Sequence, residues 1–358
     1  MSEPVAVFDG HNDVLLRLHL KGSQEPEADF VEGDGKGHID LPRARAGGLA
    51  AGLFAVFVPT PRRASDADPD QMMRRTRYDV PMPRQVDRDH ALAATLAMAA
   101  ILFRIERRSG GQVRVCRTGA EIRQARAAGA LAAVLHIEGA EAIDPDLHTL
   151  DVLYAAGLRS LGPVWSRPNI FGHGVPFRFP STPDTGPGLT DAGKELVRRC
   201  NRLGIMLDLS HITEKGFWDV AALSDPPLVA SHSNAHAICG HARNLTDRQL
   251  DAIRESGGLV GLNYATAFLR PDGRMNARTP LDLMVRHIDH MVERLGIDGV
   301  GLGSDFDGAT IPEEIGDVAG LPRLVEALRA HGYGEEDIGK ICFSNWLSVL
   351  ERTWKERA

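Results

Sequence analysis

A (β/α)8 barrel, an α/β TIM-barrel fold running as one domain over residues 1–358, is the architecture this sequence predicts. Three observations carry the expectation. Apolar, strand-like runs recur eight times, amphipathic helical stretches separate most of them, and the glycine fingerprint of a dinucleotide-binding sheet is absent. A doubly wound open sheet is the alternative. The chain is long enough for a large core, with 358 residues of which 43% are hydrophobic.

The runs are Val5–Asp9, Ala51–Val58, Leu131–Ile137, Leu158–Val164, Ile205–Leu209, Leu228–Ala230, Leu259–Asn263 and Gly299–Gly303. Nearly unbroken apolar strands suit a parallel sheet covered by helices. The helical stretches carry their own start and stop signals. Thr190 is placed to cap "DAGKELVRRCNRL", and Gly204 ends it. "TDRQLDAIRESGG" and "PLDLMVRHIDHMVERLG" follow the same plan. "ALAATLAMAAILF" is too short and too Ala-rich to span a bilayer and reads as a buried helix.

Three stretches interrupt the alternation: Arg17–Arg45, Pro59–Arg88 and the proline-stiffened Asn169–Gly188. Each follows a strand. Loops at the C-terminal ends of barrel strands form the functional face, so these segments are expected to wall a pocket there.

Composition narrows the partners. The net charge is −7, and basic residues cluster no further than pairs such as Arg62-Arg63 and Arg74-Arg75, so no nucleic-acid partner is expected. No basic and apolar leader opens the chain, and no membrane association is expected. The cysteines Cys116, Cys200, Cys239 and Cys342 lack paired spacing and read as free thiols of a cytoplasmic protein.

The chemistry lies where the apolar runs stop. His11 and Asp13 follow the first run, His136 and Glu138 end the third, and Asp208 and His211 follow the fifth. His232 follows the sixth, and Asp305 and Asp307 follow the eighth. In a barrel these ends converge on one bowl. A ring of imidazole and carboxylate without thiolate suits Zn2+ or another borderline divalent ion. His11 and Asp13, two apart on a strand, would face one way. His11, Asp13 and Glu138 can make one site, and His211 and His232 another, with Glu138 shared. Asp305, left over beside such a centre, suits proton transfer. His136 reads as core or as a residue packed behind the ligands, Asp208 as a carboxylate orienting a ligand histidine, and His236 and His241 as capping or rim residues. His287 and His290 read as packing or solvated residues of an outer helix.

Taken together, "DGHND", "EG" after the third run, "NRLGIMLDLSH", "ASHSNAH", "ARN" and "GSDFDG" resemble the membrane (renal) dipeptidase family, peptidase family M19, in order and approximate spacing over almost the whole chain. The resemblance implies a (β/α)8 metallo-dipeptidase with two Zn2+ per chain. His11 and Asp13 would hold the first, His211 and His232 the second, and Glu138 would bridge them. It implies Asp305 as the proton-handling residue beside the substrate ammonium and Arg243 as the clamp on the substrate carboxylate. It also implies dipeptide substrates, often with a D-residue at the carboxyl end, and a homodimer. The alternatives are an amidohydrolase acting on N-acyl amino acids or cyclic amides, and a non-hydrolytic biosynthetic role on the same scaffold.

Two positions depart from the family pattern. Trp165 stands where mammalian members carry a substrate-polarising histidine, and Phe57 replaces a tyrosine. His173, in the loop after the fourth run, is the candidate to supply the missing imidazole, and Arg178 on that loop is a candidate second clamp.

Overall fold

Each of the eight runs is apolar on both faces, and in the computed structural model each becomes a strand buried from two sides. Residues 4–61, 66 and 68–354 are described; Arg62-Arg63 and the last four residues lie outside them. The strands are β1 (Val7–Asn12), β2 (Leu49–Phe57), β3 (Leu131–Glu138), β4 (Leu158–Gly162), β5 (Met206–Leu207), β6 (Val229–Ser233), β7 (Leu259–Asn263) and β8 (Val300–Gly303). All neighbours are parallel, and each strand pairs with the next in sequence from β1 to β5 and from β6 to β8. β8 returns to β1 through Asp9 and Leu302. The remaining seam, between β5 and β6, closes through an Asp208–Val229 bridge and the Leu209 amide on the Val229 carbonyl at 2.8 Å. The result is the eight-stranded barrel.

Alternation along each strand sorts side chains into two sets. Phe8, Leu53, Val134, Val229 and Leu259 belong to one apolar cluster, which also takes Phe343, Trp346, Val349 and Leu350 from the C-terminal helical segment. Phe54, Val56, Leu135, Ile137 and Val260 belong to the cluster shared with the surrounding helices. The C-terminal segment thus plugs one end of the barrel. Trp346 is fully buried, stacks on Phe8 at 5.5 Å, and donates from Nε1 to the Leu302 carbonyl at 2.8 Å. Its ring passes so close to β1 that a Cβ on Gly10 would lie 2.2 Å from it.

The helices follow their sequence signals. Thr190 Oγ1 accepts from the Gly193 amide at 3.0 Å, and Gly204 ends the helix Asp191–Leu203 in the left-handed region. The helix Asp247–Glu255 begins with a Thr246–Gln249 capping box. The Ala-rich run lies in the helix Arg88–Arg108, and no helix among the described residues is long and apolar enough to cross a membrane.

The segment Arg17–Arg45 differs from the expected long loop. It holds most of the helix Val14–Lys21 and most of Leu41–Gly47. Buried Phe30 folds it back on Phe54 of β2, and Arg17 bonds both Asp34 and Asp307 at 3.2 Å. Hydrophobic burial and ion pairing together make this segment a flank of the barrel.

Candidate active site

At the end of the barrel opposite the Trp346 plug, β1, β3, β5 and β6 deliver the ligand-type residues. His11 lies within β1. Asp13 lies beyond it, as the N-cap of the next helix with φ −106° and ψ 25°. The two therefore meet through a turn, not through strand pleating, and His11 Nε2 stands 3.4 Å from Asp13 Oδ2. Glu138 Oε1 lies 3.7 Å from His11 Nε2, 3.0 Å from His211 Nε2 and 3.3 Å from His232 Nε2. All five side chains are buried.

Their donor atoms form overlapping groups, each within 4.8 Å: His11, Asp13 and Glu138; Glu138, His211 and His232; and His11, Asp208 and His232. The first two share Glu138. Hydrogen bonding fits a cation. Asp208 accepts from the amides of Ser210 and Ser231 at 3.0 and 2.7 Å and from Ser231 Oγ at 2.5 Å. With its O–H donated to the Asp208 carboxylate, Ser231 Oγ accepts from His232 Nδ1 at 2.7 Å. His232 then carries its proton on Nδ1 and presents a lone pair from Nε2 to the carboxylate of Glu138. Two acceptors facing each other in a buried site call for a positive charge between them. Neither ring nitrogen of His11 makes a hydrogen bond, nor does Asp13 Oδ1.

Electrostatics point the same way. Burial pushes Glu138 well above the usual carboxylate range. Burial pulls His11 down, but the charges of Glu138 and Asp13 outweigh it and raise it to about 10. Burial holds His211 and His232 well below their ordinary value, and the nearby cations add to it. The cluster holds protons that a divalent ion would displace.

Backbone strain aims the site. His211 and Asp305 adopt φ of 69° and 60°, in the left-handed region that costs most residues free energy. Asp305 is pinned there by its amide on the His11 carbonyl at 3.0 Å, and Asn263 Nδ2 donates to its Oδ2 at 3.0 Å. Burial raises the Asp305 carboxyl above its ordinary range.

Over this floor lies a cavity of about 730 Å3. Asp13, Glu138, His211 and Asp305 reach it from below, and Phe57, Trp165, Phe177 and Phe268 form aromatic walls. Trp165 packs on Phe57 at 4.8 Å and on His211 at 5.7 Å. Of the three long segments, Pro59–Arg88 supplies much of the roof, Asn169–Gly188 supplies Pro176 and Phe177, and Arg17–Arg45 supplies nothing.

The remaining candidates fall into two groups. Arg243 is buried beside the floor, with Nη1 on Ser233 Oγ at 2.9 Å and Nη2 on the His232 carbonyl at 3.0 Å. Its guanidinium lies 5.8 Å from the Phe268 ring. His173 is not among the residues that line the cavity; it is half-buried, and its carbonyl accepts from the Thr213 amide at 3.3 Å. Arg178 pairs with Asp79 at 2.8 Å. His136 is core, with Nδ1 on Ser160 Oγ at 2.8 Å. His287 is buried and packs through hydrogen bonds to the Ala235 amide and the Leu269 carbonyl. His241, expected at the rim or as a cap, is fully buried. The serines that orient the histidines, Ser231 and Ser166, were missed; Ser166 Oγ lies 2.8 Å from His211 Nδ1. Their only sequence signal is adjacency to His232 and Trp165.

A family model for membrane dipeptidases, peptidase family M19, matches residues 1–357. The chain belongs to this family. It is a metallo-dipeptidase, a hydrolase of peptide bonds. Among solved structures, a metallo peptidase from Rhodobacter sphaeroides, liganded with a phosphinate mimic of the dipeptide L-Ala-D-Ala, is 56% identical, with a TM-score of 0.96 over 98% of this chain and 100% of that one. A dipeptidase described as a metallo peptidase of family M19 is 55% identical, with a TM-score of 0.95 over 99% of this chain and 100% of its own. An uncharacterised protein in the pqqA 5′ region of Klebsiella pneumoniae is 52% identical over 257 residues, 72% of this dipeptidase and 95% of that protein.

Proposed function

We propose that this dipeptidase cleaves dipeptides, including those with a D-residue at the carboxyl end, at a centre of two zinc ions in the cytoplasm. The ligands are His11, Asp13, Glu138, His211 and His232, with Glu138 common to both ions. The observation that carries the substrate class is the L-Ala-D-Ala mimic bound by the 56% identical Rhodobacter sphaeroides relative. The two ligand groups that share Glu138 support the metal count. The four free, buried cysteines suit a reducing compartment.

When bound, the cations supply Lewis acidity, which polarises a carbonyl and acidifies water near neutral pH. The chain's own residues do the rest. Asp305 accepts a proton on its free oxygen, Asn263 holding the other, and passes it to the departing amine. Arg243 holds the terminal carboxylate, which limits substrates to short peptides. Phe57, Trp165, Phe177 and Phe268 exclude water from the scissile bond.

The test is a panel of L-Xaa-D-Xaa and L-Xaa-L-Xaa dipeptides with their N-acetylated forms, offered to zinc-loaded and chelator-stripped protein. Zinc-dependent cleavage of the free dipeptides alone is expected. Faster turnover of N-acetylated compounds would make the protein an acylase instead.

A further inference from the structure

The side chain of His241 has no part in the chemistry above. It is fully buried, and its Nδ1 accepts a hydrogen bond from the Arg243 amide at 3.0 Å. With Nδ1 occupied as an acceptor, the ring proton must sit on Nε2. Burial, and then the charge of Arg243, keep the ring neutral. Nε2 therefore carries a hydrogen, and among the described residues nothing accepts it. Buried donors are almost always paired, so an orphan of this kind calls for a partner that arrives later.

Its surroundings indicate which partner. The His241 ring lies 4.6 Å from Phe268 and 6.5 Å from Phe177, two of the aromatic walls of the cavity. The Arg243 guanidinium lies 5.8 Å from the same Phe268 ring, and its Nε is also without a partner. Two unused donors, one charged and one neutral and two residues apart in the chain, thus flank one wall residue. A carboxylate has lone pairs for both, and a neutral N–H adds a bond without adding a second buried charge.

We infer that His241 is a substrate-binding residue: its Nε2–H and Arg243 together receive the terminal carboxylate of the substrate at the edge of Phe268. This rests on the dipeptidase reading. It would make recognition of the carboxyl end a two-donor clamp held by one turn of backbone.

The experiment compares a dipeptide with its C-terminal amide, using zinc-loaded wild type, His241→Phe and His241→Gln. Phe matches the aromatic surroundings and removes the donor; Gln retains one. For the free dipeptide, H241F is expected to lower kcat/KM about 10-fold or more, mainly through KM, as fits loss of a hydrogen bond to a charged group. The amide should lose little, and H241Q should recover part of the loss. Equal losses on acid and amide, or no loss, with the wild type cleaving the dipeptide, would overturn the role of His241 alone and assign its Nε2 to a buried water or a structural contact. A wild type that cleaves neither substrate would overturn the dipeptidase reading and this clamp with it.

Discussion

The two ends of the barrel are built from the same strands and obey different rules. β1 gives Phe8 to the apolar plug and His11, three residues on, to the metal-type cluster. β3 gives Val134 to one end and Glu138 to the other, and β6 gives Val229 and His232. At the plugged end the stabilising term is burial: Trp346, Phe8 and Leu350 exclude water and each other's alternatives by volume. At the open end the groups are buried polar ones, held in place by serine hydroxyls, a carboxylate and two left-handed backbone residues. The contrast shows how the fold separates duties along a few residues of strand. One end stabilises the barrel, and that allows the other to crowd groups that repel one another.

Substitutions can break this division. Glu138→Gln should have the largest effect, because both ligand groups lose their common member: metal binding and turnover are lost together, while the metal-free protein keeps its Tm. A retained full complement of metal, read by elemental analysis, would contradict the shared-ligand arrangement. Asp305→Asn should lower kcat by about 100- to 10,000-fold, the usual worth of a positioned proton-transfer group, with metal content unchanged. A variant that loses metal instead would make Asp305 a ligand.

Trp346→Ala addresses the other end. It should cost about 3–5 kcal/mol of stability, seen as a lowered Tm, while the folded fraction keeps its kcat/KM. Loss of kcat at unchanged Tm would show that the two ends are not separable. Ser231→Ala should have the smallest effect. It removes the hydroxyl between Asp208 and His232 and should weaken metal affinity about 10- to 100-fold, measured by competition with a chelator. Unaltered affinity would mean that His232 is oriented by packing alone.

These two ends were also unequally legible in the sequence. The eight strands announce themselves by apolar runs, and the ligand-type residues by their place where runs stop. Both are local signals. The contribution of Trp346 is not local. Nothing in "ICFSNWLSVL" distinguishes a helix packed outside the barrel from one plugging its end, because the deciding contact is with Gly10, more than 300 residues away. Strand pleating predicts the meeting of His11 with Asp13, but the backbone turn at the start of the next helix is what brings them together. Serine relays are equally opaque, since Ser231 gains its role only when β5 brings Asp208 beside it. The imidazole of His173 is legible in the sequence; whether a loop residue joins the cavity lining, as His173 does not, is decided by the loop's path.

The roof of the cavity has a bearing on heredity and on protein engineering. Tyr78–Asp79, from the loop after β2, pairs antiparallel with Arg178–Phe179, from the loop after β4. The Val80 amide adds a bond to the Phe177 carbonyl at 2.9 Å, and Tyr78 Oη reaches the Gly273 carbonyl, in the loop after β7, at 2.6 Å. Three loops, distant in the chain, are thus sewn into one piece. A graft of any single loop from a relative would import half a ladder and leave the other half unmatched. New specificities on this scaffold would be inherited, or transplanted, as a set.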